Sequence, residues 1–163
     1  MAKTSYAIAL GSNRRSGHGS PTETLHAAAD ALAATALSRI RATPAMGPAG
    51  RGFANAAALI ESDRDPPGLL AHLKSIERQF GRRPGRRWGP RILDLDIILW
   101  SEGTWGSAGL TVPHPEFRTR RFVLEPLAEL VPGWLDPISG LSVRQLLARA
   151  RSARPVDREG GRF

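Results

Sequence analysis

The chain is predicted to be an α+β domain, a mostly antiparallel sheet with helices packed on it and further helices towards the C-terminus. Three observations predict this. Short apolar runs closed by Gly, Pro, Asn or Ser read as strands. Two segments carry apolar residues at helical spacing, and each opens with a proline just after a capping residue. The two kinds alternate in the order strand, helix, strand, strand, helix, strand, which is the βαββαβ, ferredoxin-like pattern. There is no internal repeat, so residues 1–150 read as a single domain and 151–163 as a flexible basic tail.

Tyr6-Ala7-Ile8-Ala9-Leu10 is the first strand, closed by Gly11-Ser12-Asn13 as turn residues. The first helix follows. Ser20 is its N-cap, Pro21 its first position, and Glu23 completes a capping box. Leu25, Ala28, Leu32 and Ala36 give it one apolar face. Ser38–Thr43 reads as a second strand, followed by a loop rich in proline and glycine from Thr43 and Pro44 onwards. Phe53–Ile60 is the third strand, and its alternation puts Phe53 and Asn55 on one face. That pair fits a core Phe with a backbone-tied Asn. It also fits an aromatic platform and an amide recognising a planar heterocycle. Asp65 and Pro66 open the second helix, with Leu69, Leu73, Ile76 and Phe80 as its stripe and Gly81 placed to end it. Glu77 lies in the last turn, where an acid is unfavourable with the macrodipole. Asp94–Trp100 is the fourth strand. Leu110–Pro115 is a short extended piece, residues 116–124 contain helix, and Ser142 with Gln145 forms a capping box for a last helix.

The chemistry concentrates in residues 81–100. Residues 81–91 carry five arginines and no acid, in a frame broken by glycine and proline. Such a loop repels itself until an anion arrives, and arginine forks suit phosphate oxygens. The run that follows is apolar except for Asp94 and Asp96, which an extended strand places on one face. Two like charges held side by side call for cationic compensation. Divalent metal ions are the obvious candidates, with Arg87 and Arg91 clamping an anion that the metals carry. A carboxylate pair beside an arginine loop points to phosphoryl-type transfer. A structural ion-pair network is the alternative.

Composition agrees. The 163 residues have a formal net charge of +8, which favours anionic partners. The absence of cysteine excludes disulfides and thiolate metal sites. No apolar run is long enough to span a bilayer, and the first residues lack the apolar core of a signal peptide. A cytoplasmic protein with no membrane partner is expected.

Arg87-Trp88-Gly89-Pro90-Arg91-Ile92-Leu93-Asp94-Leu95-Asp96-Ile97-Ile98 resembles the signature of the 6-hydroxymethyl-7,8-dihydropterin pyrophosphokinase family. Ala-Ile-Ala-Leu-Gly-Ser-Asn at 7–13 and Val-Pro-His at 112–114 are similar to other parts of that family. The resemblance implies the ferredoxin-like fold and transfer of the βγ-diphosphate of ATP to the pterin hydroxymethyl group, releasing AMP, in tetrahydrofolate biosynthesis. It implies that Asp94 and Asp96 hold two Mg2+ ions, with Arg82 and Arg91 also catalytic. Thr43, Pro44, Phe53, Asn55, Trp88 and Phe122 would bind pterin. Glu77, Arg82, Arg87, Trp88, Arg91, Ile97, Thr111, His114 and Arg120 would bind ATP. Which phosphate each of Arg82, Arg83 and Arg86 meets stays open, because Pro84-Gly85 stands where the family's commoner form has basic positions.

The rival class is a single-stranded RNA-binding module of the same strand order. Its third strand would carry several aromatic and basic residues, whereas residues 53–60 are nearly all small and apolar. The expectation is therefore an enzyme acting as a monomer on small molecules, without a nucleic-acid partner.

Overall fold

The computed structural model describes residues 2–43, 53–81 and 92–153. Four antiparallel pairings build the main sheet from β1 (Thr4–Ser12), β2 (Ala36–Leu37), β3 (Arg41–Thr43), β4 (Phe53–Ser62) and β5 (Asp94–Trp100). The order is β2-β4-β1-β5, with β3 also on β4. The predicted ferredoxin-like core is present. Helices α1 (Pro21–Ala31) and α2 (Pro66–Gln79) lie between the strands in sequence, and α3 (Arg121–Leu130) and α4 (Val143–Ser152) follow them. A small hairpin, β6 (Trp105–Ser107) with β7 (Leu110–Val112), follows β5.

Local chemistry explains the helix starts. Ser20 accepts the Glu23 N–H while Glu23 accepts the Ser20 N–H, at 3.2 Å each. Asp65 accepts the Gly68 N–H at 2.9 Å, and Ser142 and Gln145 repeat the reciprocal box. Gly81, just past α2, has φ of 109°, and a Cβ there would lie 2.8 Å from Ile92 Cδ1. Both the turn and the space demand glycine.

The second strand differs from the sequence expectation. It is split into β2 and β3, because Ser38 intervenes with its side chain. Its Oγ accepts the Ala57 N–H at 2.9 Å while its own N–H donates to the Ala57 carbonyl. A hydroxyl thus replaces a backbone carbonyl in the ladder, and the strand breaks there. Residues 116–124 hold a 3-10 turn (Phe117–Thr119) before α3 begins.

The sheet has two apolar faces. Tyr6, Ile8 and Leu10 of β1 and Leu95 and Ile97 of β5 pack with Leu25 of α1 and Leu69 and Leu73 of α2. Ala7, Ala57 and Leu99 pack on the opposite side with Leu124 and Leu127 of α3 and Leu146 of α4. Between Ala7 and Ile8 the β1–β5 register shifts, so Ile97 faces Ile8 while Leu99 faces Ala7. The extra residue is a β-bulge in β5. It swings Trp100 away from the aspartate face onto Tyr6, whose ring it stacks at 5.8 Å. Helices α3 and α4 cover only one end of their face. Its other end, carrying Gly11, Asn55 and Asp94, is left for a cavity.

Candidate active site

Strand register assembles the site. Asn55 of β4, Gly11 of β1 and Asp94 of β5 stand in one row across the sheet. Two residues along, Ala57, Ala9 and Asp96 form a second row. The central strand thus contributes only alanine and glycine between the amide and the two carboxylates. A cavity of about 510 Å3 opens above these rows. Phe53, Asn55, Asp94, Asp96, His114, Arg120 and Phe122 all line it. Seven of the side chains singled out in the sequence therefore meet around one space.

Phe53 and Phe122 are 51% and 52% exposed, which excludes a core role. Neither is a core residue. Two large aromatics are thus left half in water at the rim of one cavity. Arg120 forms an ion pair with Glu116, and its guanidinium stands 5.7 Å from the centre of the Phe122 ring. His114 is fixed twice. Its N–H donates to the Ile98 carbonyl at 3.0 Å, and its Nδ1 accepts the Glu116 N–H at 3.1 Å. With Nδ1 accepting, Nε2 is the ring's donor.

The segment bearing these residues is anchored from behind. Arg118 makes a fork to the wholly buried Asp136, Nε to Oδ2 at 2.5 Å and NH2 to Oδ1 at 2.8 Å. Ser139 Oγ donates to Oδ2 at 2.6 Å, and the Ile138 N–H to Oδ1 at 3.1 Å. The Arg118 bonds above all hold the Asp136 carboxyl well below the usual carboxylate range, against its burial, with Ser139 and Ile138 assisting.

Other residues singled out in the sequence lie elsewhere. Glu77 does not line the cavity. It is buried, 3% exposed, and accepts the Leu95 N–H at 2.9 Å, between the two aspartates. The acid that opposes its helix dipole thus serves the backbone of β5. The Ile97 side chain belongs to the core on the face away from Asp94 and Asp96. Thr111 is exposed on β7, opposite Gly106. Thr43 ends β3 opposite Phe53. Pro44, Arg82, Arg87, Trp88 and Arg91, with Arg83 and Arg86, lie outside the described residues.

The structure adds residues that the sequence reading passed over. Gly11, Ser12 and Asn13 were expected to be a turn, but β1 continues through Gly11 and Ser12, and all three line the cavity. Ser12 Oγ and Asn13 Oδ1 are buried with no hydrogen-bond partner among the described residues. The available signal was the alternation Ala7, Ala9, Gly11, a stripe of small residues on one face.

The carboxylate pair suits a hard divalent cation. Among the described residues no group of three or more metal-ligating side chains exists. Two carboxylates on a cavity wall, with positions left for water and phosphate, match the way magnesium is held.

The family model of 7,8-dihydro-6-hydroxymethylpterin-pyrophosphokinase matches residues 7–132. The chain belongs to this family. A 2-amino-4-hydroxy-6-hydroxymethyldihydropteridine pyrophosphokinase of Methylorubrum extorquens is 38% identical over 87% of this chain and 90% of its own length. The protein of the same description from Synechocystis sp. is 44% identical over 63% of this chain, which spans 53% of that relative's length. A crystal structure of an HPPK-DHPS in complex with substrates superposes with a TM-score of 0.68 at 12% identity, covering 91% of this chain and 45% of that one. That likeness shows the fold. Membership identifies a pyrophosphokinase of folate biosynthesis with ATP as co-substrate, and gives no support to an RNA-binding module. No helix among the described residues is long and apolar enough to cross a membrane.

Proposed function

We propose that the cavity is the catalytic centre of this pyrophosphokinase, with pterin at the Asn55 end and ATP at the aspartate end. The observation that carries it is one space lined by a recognition amide, two half-exposed aromatics and two carboxylates. In this reading Phe53 and Phe122 hold the pterin ring between them, and Asn55 pairs with its polar edge. Asp94 and Asp96 hold two magnesium ions. When bound, these supply the positive charge that neutralises phosphate oxygens. His114 donates from Nε2, and Arg120 its guanidinium, to the phosphates. Arg82 and Arg91 complete the cationic surround from the arginine loop, with Arg87 and Trp88. Glu77 acts on the nucleotide side by fixing Leu95 between the two aspartates.

The hydroxymethyl oxygen attacks the β-phosphorus of ATP and loses its proton. The bond from that phosphorus to the bridging oxygen of the α-phosphate breaks, and AMP leaves with the oxygen. The side chains contribute alignment and charge, and alignment of two bound reactants is worth about 7 kcal/mol or more. Residues 1–150 are the catalytic domain. In this reading the protein acts as a cytoplasmic monomer. Incubation with ATP, Mg2+ and hydroxymethyl-dihydropterin is expected to yield AMP and a diphosphorylated pterin in equal amounts, followed by chromatography. ADP as the nucleotide product would overturn the reading.

A further inference from the structure

We infer that Gly11 determines specificity for the one-carbon arm of the substrate: its missing side chain leaves the lane along which that arm passes from the ring to the phosphates. The inference rests on the placement of pterin and ATP proposed above.

Gly11 stands between Asn55 and Asp94 in the same cross-strand row. Two strand spacings separate the amide from the carboxylate, roughly 10 Å. A ring edge on Asn55 and a phosphate near Asp94 would therefore have Gly11 directly beneath what joins them. A glycine inside a strand is less stable than alanine unless something forbids the side chain.

Neither protein-side reason applies. The Gly11 backbone does not lie in the left-handed region that favours glycine. A Cβ on it would sit 3.4 Å from Asn55 Oδ1 and 3.9 Å from the Ala54 carbonyl, contacts that a side chain tolerates. Ala9, one step along the same face in front of Asp96, does carry a methyl group. Position 11 differs from it in lying opposite the recognition amide. The neighbouring Asn13 Oδ1, buried without a partner among the described residues, is a second sign that this end of β1 meets a ligand.

The test compares wild type with Gly11→Ala and Gly11→Ser. Thermal unfolding is recorded first. Affinity is then measured for hydroxymethylpterin and for pterin lacking the arm, each in the presence of Mg2+ and a non-hydrolysable ATP analogue. The expected result is an unchanged or raised Tm and a KM for ATP within twofold of wild type. Affinity for hydroxymethylpterin should fall at least tenfold, and for armless pterin less than threefold. Loss of both ligands by the same factor, or of neither, overturns the inference, as does a loss that follows a lowered Tm. Asn55→Ala separates the two levels. If it weakens both pterins while Gly11→Ala weakens neither, only the Gly11 assignment falls. If it weakens neither, the placement of pterin falls and the Gly11 assignment with it.

Discussion

Replacing Asp96 with alanine is expected to lower turnover by at least on the order of a thousandfold, because in the proposed mechanism this carboxylate holds the positive charge that meets the phosphates. The fold should survive the change. Asp96 is half-buried on the cavity wall, and its register partner is the small Ala9. On the proposed placement the pterin end lies two strands and a row away, at Asn55. Pterin affinity without nucleotide should therefore stay near the wild-type value. Single-turnover release of AMP and pterin titration, run on the same preparation, check both halves. Near-normal AMP release by Asp96→Ala would remove the metal assignment. Pterin binding lost together with turnover would instead mean that the carboxylate shapes the whole cavity.

The second large effect concerns stability. Asp136→Ala strips a wholly buried carboxylate from Arg118, whose side chain is a quarter exposed, and leaves the guanidinium without its fork. Breaking such a pair costs about 3 kcal/mol, at the lower end for buried pairs because Arg118 keeps contact with water. For a domain of this size that is a Tm lower by roughly 6–12 °C. The pH dependence has a definite sign. The folded protein holds the Asp136 carboxyl below its unfolded value of about 3.9. Its contribution is therefore present above about pH 4 and is lost as pH falls towards the depressed folded value. Urea melts between pH 6 and 2 should show wild-type stability falling through this window and Asp136→Asn falling less steeply. Parallel curves would show that the pair does not carry the linkage.

What the sequence revealed was local. Ser20-Pro21 with Glu23, and Asp65-Pro66, mark their helices because a cap is satisfied within one turn of chain. Asp94–Trp100 was readable to the residue because its apolar run is continuous and its acids are two apart. The failures depended on partners distant in sequence. Ser38 breaks its strand through Ala57, and Glu77 is buried through Leu95. Gly11 and Ser12 look like a turn until β4 pairs with them through Asn55 and Ala54. The bulge in β5 has no sequence mark, and strict alternation would put Trp100 beside the aspartates. In the site, Phe53 and Phe122 could be named, but only their half-exposure rules out a core role.

Strand β5 ends the sheet, so one of its long sides faces away from β1. A bare rim of backbone groups is a template on which a foreign strand can grow. Here Glu77 occupies the Leu95 N–H and the His114 N–H occupies the Ile98 carbonyl. The strand that carries the carboxylates is thereby shielded from self-association, and a substitution that frees Leu95 would cost colloidal solubility as well as catalysis.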